Sequence, residues 1–220
     1  MYTQLSVLPT LVQPGGLLSV TSAWTQSGSV WNSVNPSGPS WSLPTGWSWD
    51  ATNCLVSKDA QASGDMTYSG PTSTIKSLLI VTKLVASVNT FSTWFTSDDG
   101  AGSHCLYNFN STYFSGNNKN GSGNAGTARE MLDSALLAAG ANTSINPNDG
   151  AWHVAQWTQL DLSSWAQLAF GSLGNLAQCK HQVGTKVALI AAYSVNLTDA
   201  QMQQNWASLQ FLTSYLNSLA

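Results

Sequence analysis

The chain has 220 residues, the size of a single β-sandwich domain, and it can bury roughly 70% of its unfolded surface without disulfide or metal staples. Apolar residues make up 43% and aromatics 10%, yet charged residues only 8%, against about 25% in an ordinary soluble domain. The seven cations lie scattered between Lys58 and Lys186, which excludes a phosphate-binding face; the aromatic content excludes disorder, and no apolar run reaches the ~20 residues of a bilayer-spanning helix.

Met1 to Gly16 carries no Lys or Arg, and Pro9 and Pro14 interrupt its apolar stretch, so it does not read as a secretory signal. It reads as mature sequence: an N-terminal arm or edge strand over residues 1–20, ahead of one domain over 21–220. Thr21 to Gly46 is rich in turn residues between short segments holding Trp24, Trp31 and Trp41. Trp47-Ser48-Trp49 alternates, which puts both indoles on one face of a strand. Ile75 to Val85 is the strongest strand, and Leu78-Leu79-Ile80-Val81 at its centre is apolar on both sides, as in a strand covered on both faces. Phe91 to Phe95 follows as a partner, then the turn Asp98-Asp99-Gly100. Cys105 to Phe114 reads as one strand with a polar face.

Residues 127–139 admit two readings. Thr127 and Glu130 fit a capping box and Met131, Leu132, Ala135 and Leu136 recur at helical spacing, which favours helix; a strand stays open. Further strands are expected over Ala151–Thr158, Trp165–Phe170 and Lys186–Ser194. Thr198 then caps a C-terminal helix with Gln201 three residues on, and Met202, Trp206, Leu209, Leu212 and Leu216 form its apolar stripe.

Chemistry-bearing motifs are sparse. Cys54, Cys105 and Cys179 are an odd, widely spaced set that reads as free thiols rather than a disulfide framework or a zinc site. Glycoside hydrolysis normally needs two carboxyl groups flanking the scissile bond, and the single Glu130 with nine Asp offers no alternating acidic strand. Gly121 to Gly126 matches G-x-G-x-x-G without the buried parallel strand that a dinucleotide site requires. His153, in a strand between Trp152 and Val154, reads as a packed or rim residue. The expectation is therefore no catalytic residue, no metal site and no enzyme. Asp98 and Asp99 read as a turn, with Ca²⁺ coordination through added carbonyl oxygens as the open alternative. Trp41, Trp47 and Trp94 are the candidates for stacking on a sugar ring.

Lys186 to Met202 resembles the closing strand and short helix of concanavalin A-like, laminin-G-like jelly rolls, with Tyr193, Leu197, Thr198-Asp199 and Met202 in the matching places. Asp149 to Ala155 is similar to a Trp-His strand of those domains, and Leu78 to Lys83 to an early strand. Gln201 departs from the Glu that many members carry, and Gly116 to Gly126 looks like an insertion. The resemblance implies an all-β, two-sheet antiparallel sandwich with a C-terminal helix, in a family of lectins, glycosidases and bacteriophage virion proteins. Absent signal and low charge look most like the virion versions: a capsid decoration, tail or fibre component made in the host cytoplasm. Its expected partners are other virion chains, as a homo-oligomer, with no nucleic acid and no membrane insertion. Binding of host-surface glycans, as an adhesin, is the alternative.

Overall fold

A computed structural model describes residues 11, 17–27, 29–33, 38–50, 55–59, 65–85, 91–97, 105–109, 113–115, 129–137, 145–170 and 183–219. In chain order the strands are β1 (Leu17–Ser27), β2 (Val30–Ser33), β3 (Trp41–Ser42), β4 (Trp47–Asp50), β5 (Leu55–Lys58), β6 (Met66–Tyr68), β7 (Ser77–Lys83) and β8 (Phe91–Thr96). They continue with β9 (Cys105–Phe109), β10 (Tyr113–Ser115), β11 (Arg129–Leu132), β12 (Ala135–Leu137), β13 (Trp152–Thr158), β14 (Ala169–Phe170) and β15 (Lys186–Tyr193), and helix α1 (Asp199–Ser218) closes the chain.

Two antiparallel sheets result, joined by a continuous hydrogen-bonded ladder. One holds β15, β7, β13, β11 and β12 with β5 and β4 at its other edge; the second runs β2, β3, β6, β14, β8, β9, β10. The long strand β1 belongs to both, because Leu17 to Ser22 pair with β15 while Gln26 and Ser27 pair with β2. Leu17 to Val20, within the stretch read as an arm or edge, thus enter an interior strand. Burying one sheet face against the other and the opposite face of the first against α1 gives three layers with two apolar seams.

The strands of the first sheet serve both seams. In β7, Leu78 and Ile80 point between the sheets and Leu79 and Val81 point toward α1, so the apolar run on both faces has a direct cause. In β15 the register shifts between Val187 and Leu189, and this bulge sends Ala188 and Leu189 together toward the helix. A second bulge, between Thr93 and Phe95 in β8, turns the neighbours Trp94 and Phe95 both into the sandwich, where each meets the ring of Trp157 edge-on at 5.4 and 5.7 Å.

Helix α1 begins as its sequence dictates. Thr198 Oγ1 accepts from the Gln201 N–H, and Gln201 Oε1 accepts from the Thr198 N–H, a complete capping box with Asp199 in the first turn. Met202, Leu209, Leu212 and Leu216 are buried as expected, but Trp206 is only half-buried and Asn205 is fully buried instead. The Asn205 amide donates to Gln156 Oε1 and Tyr193 Oη, and Gln156 Nε2 donates to the Met202 carbonyl at 2.8 Å. That polar chain fixes the height of the helix on β13 and β15, and burial pushes the Tyr193 hydroxyl up to about 12.

Three local expectations are corrected. Residues 129–137 form a hairpin rather than a helix: β11 pairs with both β12 and β13, and Asp133 takes a left-handed conformation (φ 51°) at the turn. Glu130, read as the end of a capping box, faces the sandwich opposite Trp157 and is fully buried. Cys105 to Phe114 is not one strand, since β9 and β10 fold back on each other with Tyr113 opposite Phe109. The strand expected from Trp165 reduces to β14, and Trp165 packs in the core beside it.

Candidate functional site

Two places on the described surface gather polar chemistry. The first begins with a turn. Trp47 N–H donates to the Pro44 carbonyl at 3.1 Å, and Gly46 at φ 91° occupies the third position of this type II turn, where a residue with a Cβ is strained. The Gly46 carbonyl accepts from Asp59 and the Ser29 carbonyl from Leu43, so the turn is tied to its neighbours on both sides. These ties shape a shallow groove of about 370 Å³, lined by Ser29, Leu43, Pro44, Thr45, Trp47, Ser48 and Trp49. No charged side chain is among them.

Trp47 forms the floor of the groove. Its ring meets Phe170 edge-on at 5.9 Å and has the Lys58 ammonium 5.9 Å from its centre, within cation–π range, so it is only 7% exposed. Trp49 lies two residues on along β4, on the same side of the strand, packed partly against the core and partly open. Ser29 and Thr45 are exposed at the rim, while the Ser48 side chain alternates to the face of β4 opposite Trp47 and Trp49. An indole surface beside two hydroxyl-bearing residues can hold a small amphipathic molecule by stacking and hydrogen bonding together.

The second place is a histidine held by two carboxylates. His153 Nδ1 lies 2.7 Å from Asp133 Oδ2 and its Nε2 lies 3.0 Å from Asp149 Oδ1. Asp133 also accepts from the Val154 N–H, and Asp149 from the Ala151 N–H, so both carboxylates are fixed by backbone. Burial is the largest single influence on His153 and opposes its charge, but the hydrogen bonds and charges of Asp133 and Asp149 together raise its pKa above the ordinary value. Asp149 is likewise opposed by burial, yet the His153 and Ala151 hydrogen bonds leave its pKa lowered. With both ring nitrogens engaged, the imidazole pins the β11–β12 hairpin and the 149–151 turn to β13; it presents no free nitrogen to a substrate.

The residues singled out from sequence fall apart in space. Trp41 and Trp94 are fully buried between the sheets, packed against Tyr68, Phe95 and Trp157, which leaves neither indole face open. Trp47 alone reaches the groove. Asp98 and Asp99 lie outside the described residues, and among those described no group of three His, Cys, Asp or Glu side chains is placed so that it could hold a metal ion. Trp49 and Ser48 stand out in the sequence only as members of an alternating strand, and Ser29 and Thr45 belong to no motif; the turn Pro44-Thr45-Gly46 immediately before Trp-Ser-Trp is the pattern that marks the site.

No family model and no curated protein matches the chain. Solved structures do. A Trypanosoma rangeli sialidase in complex with sialic acid matches at 11% identity and a TM-score of 0.56, covering 91% of this chain and 34% of that chain. A mutant of the Trypanosoma rangeli sialidase displaying trans-sialidase activity matches at 12% identity and a TM-score of 0.56, covering 94% of this chain and 36% of that one. The chain thus spans about a third of the length of these sialidases, and at such identity the likeness is one of fold.

This finding corrects the expectation, drawn from sequence, that the chain is not an enzyme: the fold it adopts occurs within chains described as sialidases.

Proposed function

We propose that this chain is a carbohydrate-recognition module of the concanavalin A-like jelly-roll kind. The observation that carries the reading is the extent of the fold match: nearly the whole of this chain superimposes on about a third of proteins described as sialidases, one of them bound to sialic acid. A sandwich that forms part of a carbohydrate-handling protein is a natural place for sugar contacts, though function belongs to the site and not to the fold. The resemblance of Lys186 to Met202 to the closing element of lectin-like jelly rolls supports the same reading. The test is a glycan array probed with the full chain. Saturable binding to a subset of glycans is expected, and uniform background on every spot contradicts the proposal.

A second reading is a structural component of a virion. The 8% charge content favours it, since neutral hydrophilic faces pack side by side without like-charge repulsion. Fixed stoichiometry in purified particles is the expected outcome of particle proteomics, and absence from them contradicts it. The two readings are compatible in a particle-mounted adhesin.

A further inference from the structure

We infer that the groove over Trp47 and Trp49 is a binding site for the neutral pyranose ring at the end of a glycan. The inference deepens the carbohydrate reading and rests on it. Three observations converge. The groove offers apolar and polar contacts at once: the half-open indole of Trp49 for the C–H face of a ring, and the exposed side chains of Ser29 and Thr45 for its equatorial oxygens. Its shape is set in advance by the type II turn with Gly46 at φ 91° and by the edge contact of Trp47 with Phe170, so little ordering is required on binding. Its volume of about 370 Å³ lies near the lower end of the usual range for small-molecule sites, which suits one or two rings and not a long chain.

Charge decides the class. Among the described residues no Asp, Glu, Lys or Arg lines the groove, and Lys58, on the strand paired with β4, is 1% exposed with its ammonium set against the Trp47 ring. A carboxylated sugar such as sialic acid would find no accessible counter-charge, whereas a neutral hexose or N-acetylhexosamine needs none. The site therefore takes a different ligand class from the sialic acid bound by the sialidase of the same fold.

The experiment is calorimetric titration of the full chain with methyl α-pyranosides of mannose, glucose, galactose and N-acetylglucosamine, and separately with N-acetylneuraminic acid. At least one neutral pyranoside should bind, and W49A should weaken it tenfold or more. Because Trp49 also touches the core, T45W supplies a second variant: it crowds the groove from an exposed position of the lining turn and should abolish binding with an unchanged melting temperature. Binding that survives both variants overturns the site while leaving carbohydrate recognition intact. Binding of N-acetylneuraminic acid alone, lost in T45W, overturns the neutral class. Titrations in which no sugar binds the parent chain overturn both the site and the reading beneath it.

Discussion

The two faces of the first sheet are built on different principles. Between the sheets the seam is aromatic: Trp31, Trp41, Trp94, Phe95, Trp157 and Phe170 are all fully buried there, and the last five meet one another tilted or edge-on at about 5.4 to 6.0 Å. Under the helix the seam is aliphatic, Leu79, Val81, Leu189, Leu209 and Leu216, and it is crossed by the Gln156–Asn205–Tyr193 chain of hydrogen bonds. Large rings fill space and cling through their edges with little demand on direction. Buried amides must be placed to within hydrogen-bond range or they destabilise the fold. The sandwich seam thus supplies bulk cohesion, and the helix seam supplies register.

This contrast can be broken or sharpened by substitution. W157A removes the ring that Trp94 and Phe95 both touch across the sheets and should cost about 4 kcal/mol in denaturant unfolding, with the whole molecule responding. L209A, at the centre of the helix seam, should cost about 3 kcal/mol, and hydrogen exchange should show α1 losing protection before β7 and β13 do. Equal loss of protection in both seams would erase the distinction. N205A leaves Gln156 Oε1 without this donor and should cost about 2 kcal/mol, whereas L212M nearby should cost under about 1 kcal/mol; a reversed order would show that register is set elsewhere.

The smallest effect expected is a pH dependence. Because the folded His153 pKa is raised, its contribution is complete below about pH 6.5 and is lost as pH climbs through the folded value. Asp149 is lowered, so its contribution is present above about pH 4 and is lost as pH falls through its folded value. The His153 cluster is therefore strongest between about pH 4 and 6.5 and should lose about 1 kcal/mol toward pH 9, after screening at the exposed Asp149. Melting temperature followed against pH should show this slope in the parent chain and a flat line in H153Q. The same slope in both would place the titration at another group.

What could be read from the residues alone was whatever local chemistry decides. Thr198 and Gln201 cap a helix through contacts three residues apart, and Leu78 to Val81 is apolar on both faces because two layers cover it. Where the choice belonged to distant partners, pattern was ambiguous. Met131, Leu132, Ala135 and Leu136 suit a helix as well as a hairpin, and pairing of Met131 with Gln156 across β13 settles them as strand. Trp94 was legible as a strand residue, but the bulge that turns it inward leaves no mark in composition. Asn205 lies outside the apolar stripe that periodicity marks, because a polar residue is buried only where partners such as Gln156 and Tyr193 wait for it. Half of the groove was visible, in Trp47-Ser48-Trp49. Ser29 joins it only because β2 pairs with β3, which brings the Ser29 carbonyl to the Leu43 N–H.

Carbohydrate recognition by the sandwich is most directly tested by saturation-transfer NMR on the full chain with millimolar methyl pyranosides, which registers weak contacts. Transfer to the ring protons of at least one neutral sugar, suppressed by T45W, is the predicted result. Absence of transfer to every sugar from a chain whose spectrum shows it folded would contradict the account.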